Sequence, residues 1–144
     1  TLRILPSGRL KQRSPIEQEI MGTVTGAEVA DLNADGWPEI YVYVTSAGSG
    51  SYGSVVGYAV NRGKSVTPIY FPELADAPEI ARGYLGHDEF AIIENTLARR
   101  FPLFKEGDTN AAPSGGKRQV HYSLKPGEAG WVLQLQKTNV VPVY

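Results

Sequence analysis

The segment Asp-Leu-Asn-Ala-Asp-Gly-Trp-Pro-Glu carries the residues of this chain best suited to hold a metal ion. Asp31, Asn33, Asp35 and Glu39 occupy its positions 1, 3, 5 and 9, and Gly36 occupies position 6. Side-chain oxygens at alternating positions around a glycine that permits a sharp turn are typical of loops that wrap calcium. The pattern predicts either a calcium site or a metal-free turn in which the same side chains accept hydrogen bonds from backbone amides.

Two known kinds of calcium loop share this pattern only in part. Position 12 of an EF-hand is a glutamate, whereas this chain has Val42 there, and no long helix flanks the loop. The spacing is similar to the calcium loops of integrin-type propeller blades, but a propeller needs at least four blades and the motif occurs once. The sequence therefore still predicts a loop of this kind but excludes the propeller fold.

A second segment, residues 44–56, is built like a narrow probe. It places three glycines and four serines around the single ring of Tyr52, between the apolar stretches 39–45 and 54–61. Glycines let a backbone enter a cleft without side-chain bulk, serine hydroxyls donate hydrogen bonds, and a tyrosine supplies contact area at low entropic cost. The composition predicts either a loop that fits the pocket of another molecule or a flexible hairpin tip.

The sequence shows no convincing arrangement of a nucleophile, an acid and a base, and we expect the protein not to be an enzyme. The chain has no cysteine, and its serines lie in no nucleophile elbow. The two histidines are not at metal-ligand spacing. His121 alternates with Val120 and Tyr122, which predicts the polar face of a strand, and His87 lies in an expected turn where its ring would cap backbone groups.

Charge and hydropathy exclude further classes of partner. The formal net charge of −1 predicts no nucleic-acid surface, and no apolar run approaches the ~20 residues of a membrane-spanning helix. The basic pairs 99–100 and 117–118 are expected on solvated faces. Six of the eight tyrosines are expected in the core or in cross-strand packing rather than on a sugar-stacking platform: Tyr41, Tyr43, Tyr58, Tyr70, Tyr84 and Tyr122.

The elements that must position these residues are short strands. Sixteen glycines and ten prolines divide the chain, and no segment has a long helical period. We predict one domain over residues 1–144, an all-β antiparallel sandwich of about eight short strands, with one short helical segment near 74–84. Residues 1–13 are expected to form two strands around a turn at 6–8, and 39–45 a strand covered on both faces.

The chain resembles the periplasmic inhibitors of invertebrate-type (i-type) lysozyme. The resemblance rests on AEVADLNADGWPEIYVYVTSAGSGSYGSVVGYAVN, GYLGHDEF and GEAGWVL, covers about residues 28–132, and leaves residues 1–20 unmatched. The S-G-x-Y motif of that family is matched by Ser49, Gly50, Ser51 and Tyr52. The resemblance implies a β-sandwich, secretion to the periplasm with a removed signal peptide, and inhibition by loops inserted into the lysozyme cleft.

The resemblance also implies roles for individual residues. Ser49 would donate a hydrogen bond to a catalytic carboxyl, and Tyr52 would bond the second carboxyl or brace the loop. A basic residue from a second loop would add a contact, with four candidates: Lys117, Arg118, Arg62 and Lys64. No cofactor is required beyond the calcium that the acidic segment could hold, and sheet edges allow a homodimer. The alternative function is a calcium-stabilised module that binds peptidoglycan or another glycan.

Overall fold

The fold is almost entirely β. A computed structural model describes residues 1–8, 10–48 and 50–142. Within these ranges, two helical turns accompany ten strands: β1 Leu2–Ile4, β2 Ile16–Gln18, β3 Thr23–Ala30, β4 Glu39–Thr45, β5 Gly53–Asn61, β6 Ser65–Ile69, a 3-10 turn Leu74–Asp76, α1 Pro78–Ala81, β7 Glu89–Ile93, β8 Thr96–Pro102, β9 Lys117–Pro126 and β10 Trp131–Val141. No helix in the described part of the chain is long and apolar enough to cross a membrane.

Two four-stranded antiparallel sheets make up the body of the protein. Their strand orders are β3-β4-β5-β6 and β10-β9-β8-β7, and β1 and β2 form a separate two-stranded sheet. The predicted all-β antiparallel sandwich is therefore confirmed, with ten strands rather than about eight. The two helical turns fall inside the predicted 74–84 segment and stay short because Pro78 begins the second one.

Side-chain alternation fills the space between the sheets. On β9, Val120, Tyr122 and Leu124 share the buried face, as the sequence period predicts. One cluster contains buried apolar residues from both sheets and from the connections beside them: Tyr41, Tyr43, Val55, Ala59, Ile69, Leu74, Ile80, Leu97, Phe101, Leu103, Val120, Tyr122, Leu124 and Leu133. This cluster is the core that holds the loops at both ends of the sandwich.

The N-terminal segment covers the outer face of the first sheet. Strand β1 pairs with residues 16–18, not with residues 9–13, so the hairpin predicted around residues 6–8 is wrong. The Tyr58 hydroxyl donates to Gln18 Oε1 at 2.9 Å, and the Val66 N–H donates to Gln12 Oε1 at 2.9 Å. With this cover, β4 is buried on both faces, as its apolar composition predicts.

The two sheets also join at their edges. Tyr70 forms a parallel bridge with Val132, with its N–H donating to the Trp131 carbonyl and its carbonyl accepting from Leu133 N–H. At the opposite edge, the Glu28 carboxylate on β3 accepts from the Ile92 N–H of β7 at 2.9 Å. The sandwich is therefore partly closed into a flattened barrel.

Candidate functional site

Three connections meet at one end of the sandwich. Gly53, the first residue of β5, lies against Asp88 just before β7. Strand β7 pairs with β8 so that residue 89 faces residue 100, and the connection 103–116 follows β8 at this same end. Residues 46–52, which we call the serine-glycine loop, therefore lie beside the connections 82–88 and 103–116.

The serine-glycine loop is closed at its base by its own hydrogen bonds. Ser46 N–H donates to the Tyr52 carbonyl at 2.9 Å, and Tyr52 N–H donates to Ser46 Oγ at 3.0 Å. The Tyr52 ring is 45% exposed and meets the Tyr84 ring edge-on, with centroids 5.6 Å apart. It also lies over Gly50, where an added Cβ would come 2.8 Å from Tyr52 Cδ2. Tyr52 thus braces the loop while presenting part of its ring to solvent.

Residues 86–88, the support segment, hold the serine-glycine loop from below. The His87 N–H donates to both the Gly50 and Ser51 carbonyls, at 3.1 and 3.0 Å. Gly86 is buried, and a Cβ there would collide with the Gly50 carbonyl oxygen. Because only glycine leaves room for this close approach, the support segment and the loop form one packed unit.

A buried ion pair anchors the end of the loop. Asp88 and Arg99 have side chains 0% and 5% exposed, and Arg99 Nε donates to Asp88 Oδ2. Asp88 Oδ1 accepts from the Gly53 N–H at 2.9 Å, and Arg99 donates to the Gly53 carbonyl at 3.2 Å. Both backbone groups of Gly53 are therefore satisfied by charged partners, which are the stronger kind of hydrogen bond.

Aromatic rings surround the guanidinium of this pair. Its carbon lies 5.1 to 6.0 Å from the centroids of four rings: Phe71, Tyr84, Phe90 and Phe101. The Tyr84 hydroxyl donates to Asp88 Oδ1 at 2.6 Å. The expectation that Arg99 lies on a solvated face is wrong. Residues 97, 99 and 101 share one strand face, and the apolar Leu97 and Phe101 on that face were the signal that Arg99 points inward.

Three of the four predicted residues of the S-G-x-Y motif fall on this unit: Gly50, Ser51 and Tyr52. Ser49 lies outside the described residues. Gly50 and Ser51 are half-buried, and Ser51 has a φ of 49°, in the left-handed region that non-glycine residues seldom adopt. The tight turn at Ser51 is held by the His87 hydrogen bonds described above.

Only two of the four predicted basic contacts lie near the loop. Strand β9 begins with Lys117 and Arg118, which pair with residues 102 and 101 at the same end of the sandwich. Lys117 is exposed, whereas Arg118 is half-buried and its Nε has no hydrogen-bond partner among the residues that the structure describes. Arg62 and Lys64 follow the far end of β5, a strand of nine residues, so they lie roughly 25 Å away.

The acidic loop, residues 31–39, lies at this far end, between β3 and β4. One carboxylate oxygen from each of Asp31, Asp35 and Glu39 lies within 4.8 Å of the others. Asn33 contributes Oδ1, which accepts from the Asp35 N–H at 3.3 Å. Burial raises the pKa of Glu39 to about 6, and the negative charges of the two aspartates add to the rise. The structure thus brings all four predicted ligands into one loop.

Polar side chains hold both histidines. His121 lies on the face of β9 opposite Val120 and Tyr122, as its alternation with them predicts, and is buried there between Thr96 and Gln119, with contacts of 2.9 Å to Nδ1 and 2.8 Å to Nε2. Burial lowers its pKa, the positive charge of Lys137 lowers it further, and Glu94 opposes this. The ring of His87 bonds Asn110 Oδ1 at 2.9 Å rather than a backbone group.

Four of the six tyrosines expected in the core or in cross-strand packing are buried: Tyr41, Tyr43 and Tyr122 in the core, and Tyr58 against Gln18 of the N-terminal segment. Tyr84 is half-buried beneath Tyr52, and Tyr70 is exposed at the bridge with Val132. Comparisons of the chain with protein-family models, with curated proteins and with solved structures find no match.

Proposed function

We propose that this protein inhibits an invertebrate-type lysozyme by inserting the serine-glycine loop into the active-site cleft, and that it carries out no reaction of its own. The observation that carries the proposal is the support beneath that loop. The carbonyls of Gly50 and Ser51 and both backbone groups of Gly53 are bonded to the support segment or to Arg99. A loop ordered before it binds loses less conformational entropy on binding, which favours tight inhibition.

The loop has the chemistry that such a cleft would accept. Glycoside hydrolases of the lysozyme type cleave with two carboxyl groups, so their clefts are rich in hydrogen-bond acceptors. Ser49 would donate its hydroxyl to one of these groups, and Gly50 would allow the close approach. The exposed part of the Tyr52 ring would add apolar contact at the rim of the cleft.

The surroundings of the loop fit an interface around an acidic cleft. Lys117 and Arg118 lie at the same end of the sandwich and would supply positive charge opposite the lysozyme carboxylates. A stable complex would bury about 800 Å² on each partner, more than one loop provides. The connections 82–88 and 103–116 would therefore contribute to the contact. The proposed location is the periplasm.

The test is a cell-wall turbidity assay with invertebrate, chicken and goose-type lysozymes. We expect inhibition of the invertebrate type alone. Ser49→Ala and Tyr52→Ala should each weaken inhibition at least tenfold, about 1.4 kcal/mol, with the melting temperature unchanged. Ser7→Ala and Tyr70→Ala change the same residue types at exposed positions outside the loop and should inhibit like the parent protein. Equal inhibition by all four variants would remove the loop from the mechanism.

A glycan-binding module would give a different result in a second assay. Because four tyrosines are buried, the exposed tyrosines in the described part of the chain that could stack on sugars are Tyr52 and Tyr70, which are 45% and 56% exposed. Retention on insoluble peptidoglycan, lost with Tyr70→Ala and accompanied by no lysozyme inhibition, would replace the inhibitor proposal with the glycan-binding one.

A further inference from the structure

The acidic loop contains a buried carboxylate oxygen that no residue in the described part of the chain satisfies. Glu39 is 1% exposed, and its Oε1 accepts from the Leu32 N–H at 2.8 Å and from the Tyr41 hydroxyl at 2.9 Å. Its second oxygen, Oε2, is buried and has no hydrogen-bond partner among the described residues. Buried polar atoms are almost always paired, because leaving one unpaired costs the full desolvation penalty. The Glu39 carboxylate therefore needs a partner that residues 1–8, 10–48 and 50–142 do not provide.

The Glu39 carboxylate lies close to two other carboxylates. One of its oxygens lies within 4.8 Å of one oxygen each of Asp31 and Asp35. A calcium ion holds its oxygen ligands at 2.3–2.6 Å, so two ligands on opposite sides of it are about 5 Å apart. The spread of the three carboxylates is therefore no wider than a single calcium ion can bridge.

Among the described residues, no lysine, arginine or histidine forms an ion pair with this group of carboxylates. The two ion pairs found among the described residues are Arg3–Glu17 and Arg99–Asp88, and neither involves the acidic loop. Three carboxylates at this separation repel one another unless a cation lies among them.

We infer that the acidic loop binds one calcium ion through Asp31, Asn33, Asp35 and the buried Glu39. The ion supplies the partner that Glu39 Oε2 lacks and joins the end of β3 to the start of β4. Calcium fits better than magnesium, because calcium accepts irregular sets of six to eight oxygens whereas magnesium requires a near-ideal octahedron. The site lies at the opposite end of the sandwich from the serine-glycine loop, so it stabilises the fold without contacting the lysozyme.

Calorimetric titration of the chelator-stripped full chain with calcium chloride tests the site. We expect one ion per chain and a melting temperature that rises by roughly 8 °C at a calcium concentration one hundredfold above Kd. Asp35→Asn keeps the oxygen that accepts the Trp37 N–H and removes only charge, and it should weaken binding at least tenfold. Glu39→Gln should do the same. Asp76→Asn removes an exposed carboxylate elsewhere and should bind like the parent chain.

Three results would overturn the assignment. The first is neither heat nor a change in melting temperature at calcium concentrations up to about 5 mM, which exceeds the Kd range of extracellular calcium modules. The second is binding that Asp35→Asn leaves unchanged, and the third is an equal loss in Asp76→Asn. None of these results depends on lysozyme inhibition, so the metal site and the proposed function are tested separately.

Discussion

Comparing Gly86→Ala with Gly107→Ala separates the loss of support for the serine-glycine loop from the general cost of replacing a glycine. Gly86 has a φ of +85°, and Gly107 has a φ of +86° in an exposed turn. An added Cβ at Gly107 meets nothing within 4 Å, whereas one at Gly86 collides with the Gly50 carbonyl oxygen and lies 2.9 Å from its carbon. Both substitutions therefore strain the backbone, and they differ in that only Gly86→Ala displaces the serine-glycine loop.

The expected magnitudes follow from this geometry. A left-handed φ costs a non-glycine residue about 1–2 kcal/mol, and both variants bear that cost. Carbon atoms pack at about 3.5–4.0 Å, so in Gly86→Ala the loop must move by roughly 1 Å. Such a shift breaks the two His87 N–H contacts to the Gly50 and Ser51 carbonyls, at about 1 kcal/mol for each bond. The free energy of unfolding of Gly86→Ala should therefore be about 2 kcal/mol lower than that of Gly107→Ala.

Two measurements on the same samples check this prediction. Denaturant unfolding gives the free-energy difference between the two alanine variants. Inhibition titration against the invertebrate-type lysozyme should show at least a tenfold weaker constant for Gly86→Ala and a nearly unchanged one for Gly107→Ala. Equal stability and equal inhibition of the two variants would refute the reasoning, because the loop would then not depend on the support segment.

Two further predictions concern buried ionisable groups. Asp88→Asn leaves the Arg99 guanidinium buried without a counter-charge and should lower the free energy of unfolding by about 3–5 kcal/mol in a urea titration. Glu17→Gln changes an exposed ion pair and should lower it by at most about 1 kcal/mol. Similar losses in the two variants would show that the buried pair does not stabilise the fold. The lowered pKa of His121 means that the unfolded chain binds more protons, so stability should decrease as the pH falls through about 6.5. His121→Gln should flatten this part of the stability profile. A profile unaffected by His121→Gln would contradict the assignment.

The strands were predictable because their information is local. On β9 the apolar residues 120, 122 and 124 recur with period two, and on β7 and β8 the turn at Glu94 and Asn95 marks the hairpin directly. The partner of β1 was not predictable in this way. It lies beyond a connection of eleven residues, and a turn signal at residues 6–8 indicates only that the chain reverses, not where it pairs.

The same distinction between local and distant information applies to the candidate site. The sequence places the glycines and serines of the serine-glycine loop and the four acidic-loop ligands, because each set is contiguous. The support beneath the loop comes from a distant segment, and Arg99 is neutralised by Asp88 on a different element. A basic doublet at 99–100 looks solvated by composition, and only the facing of Leu97 and Phe101 reveals that one arginine is inside.

The contacts that join the edges of the two sheets, which we call the seam, constrain the order in which the chain can fold. Tyr70 is joined to residues 131–133, more than sixty positions later, and Glu28 is joined to Ile92 across a similar separation. Contacts this distant require the closure of long loops before they contribute any stability, and domains that depend on them fold slowly. A nascent chain cannot complete the seam until β10 has emerged, so the whole domain forms late and as one cooperative step.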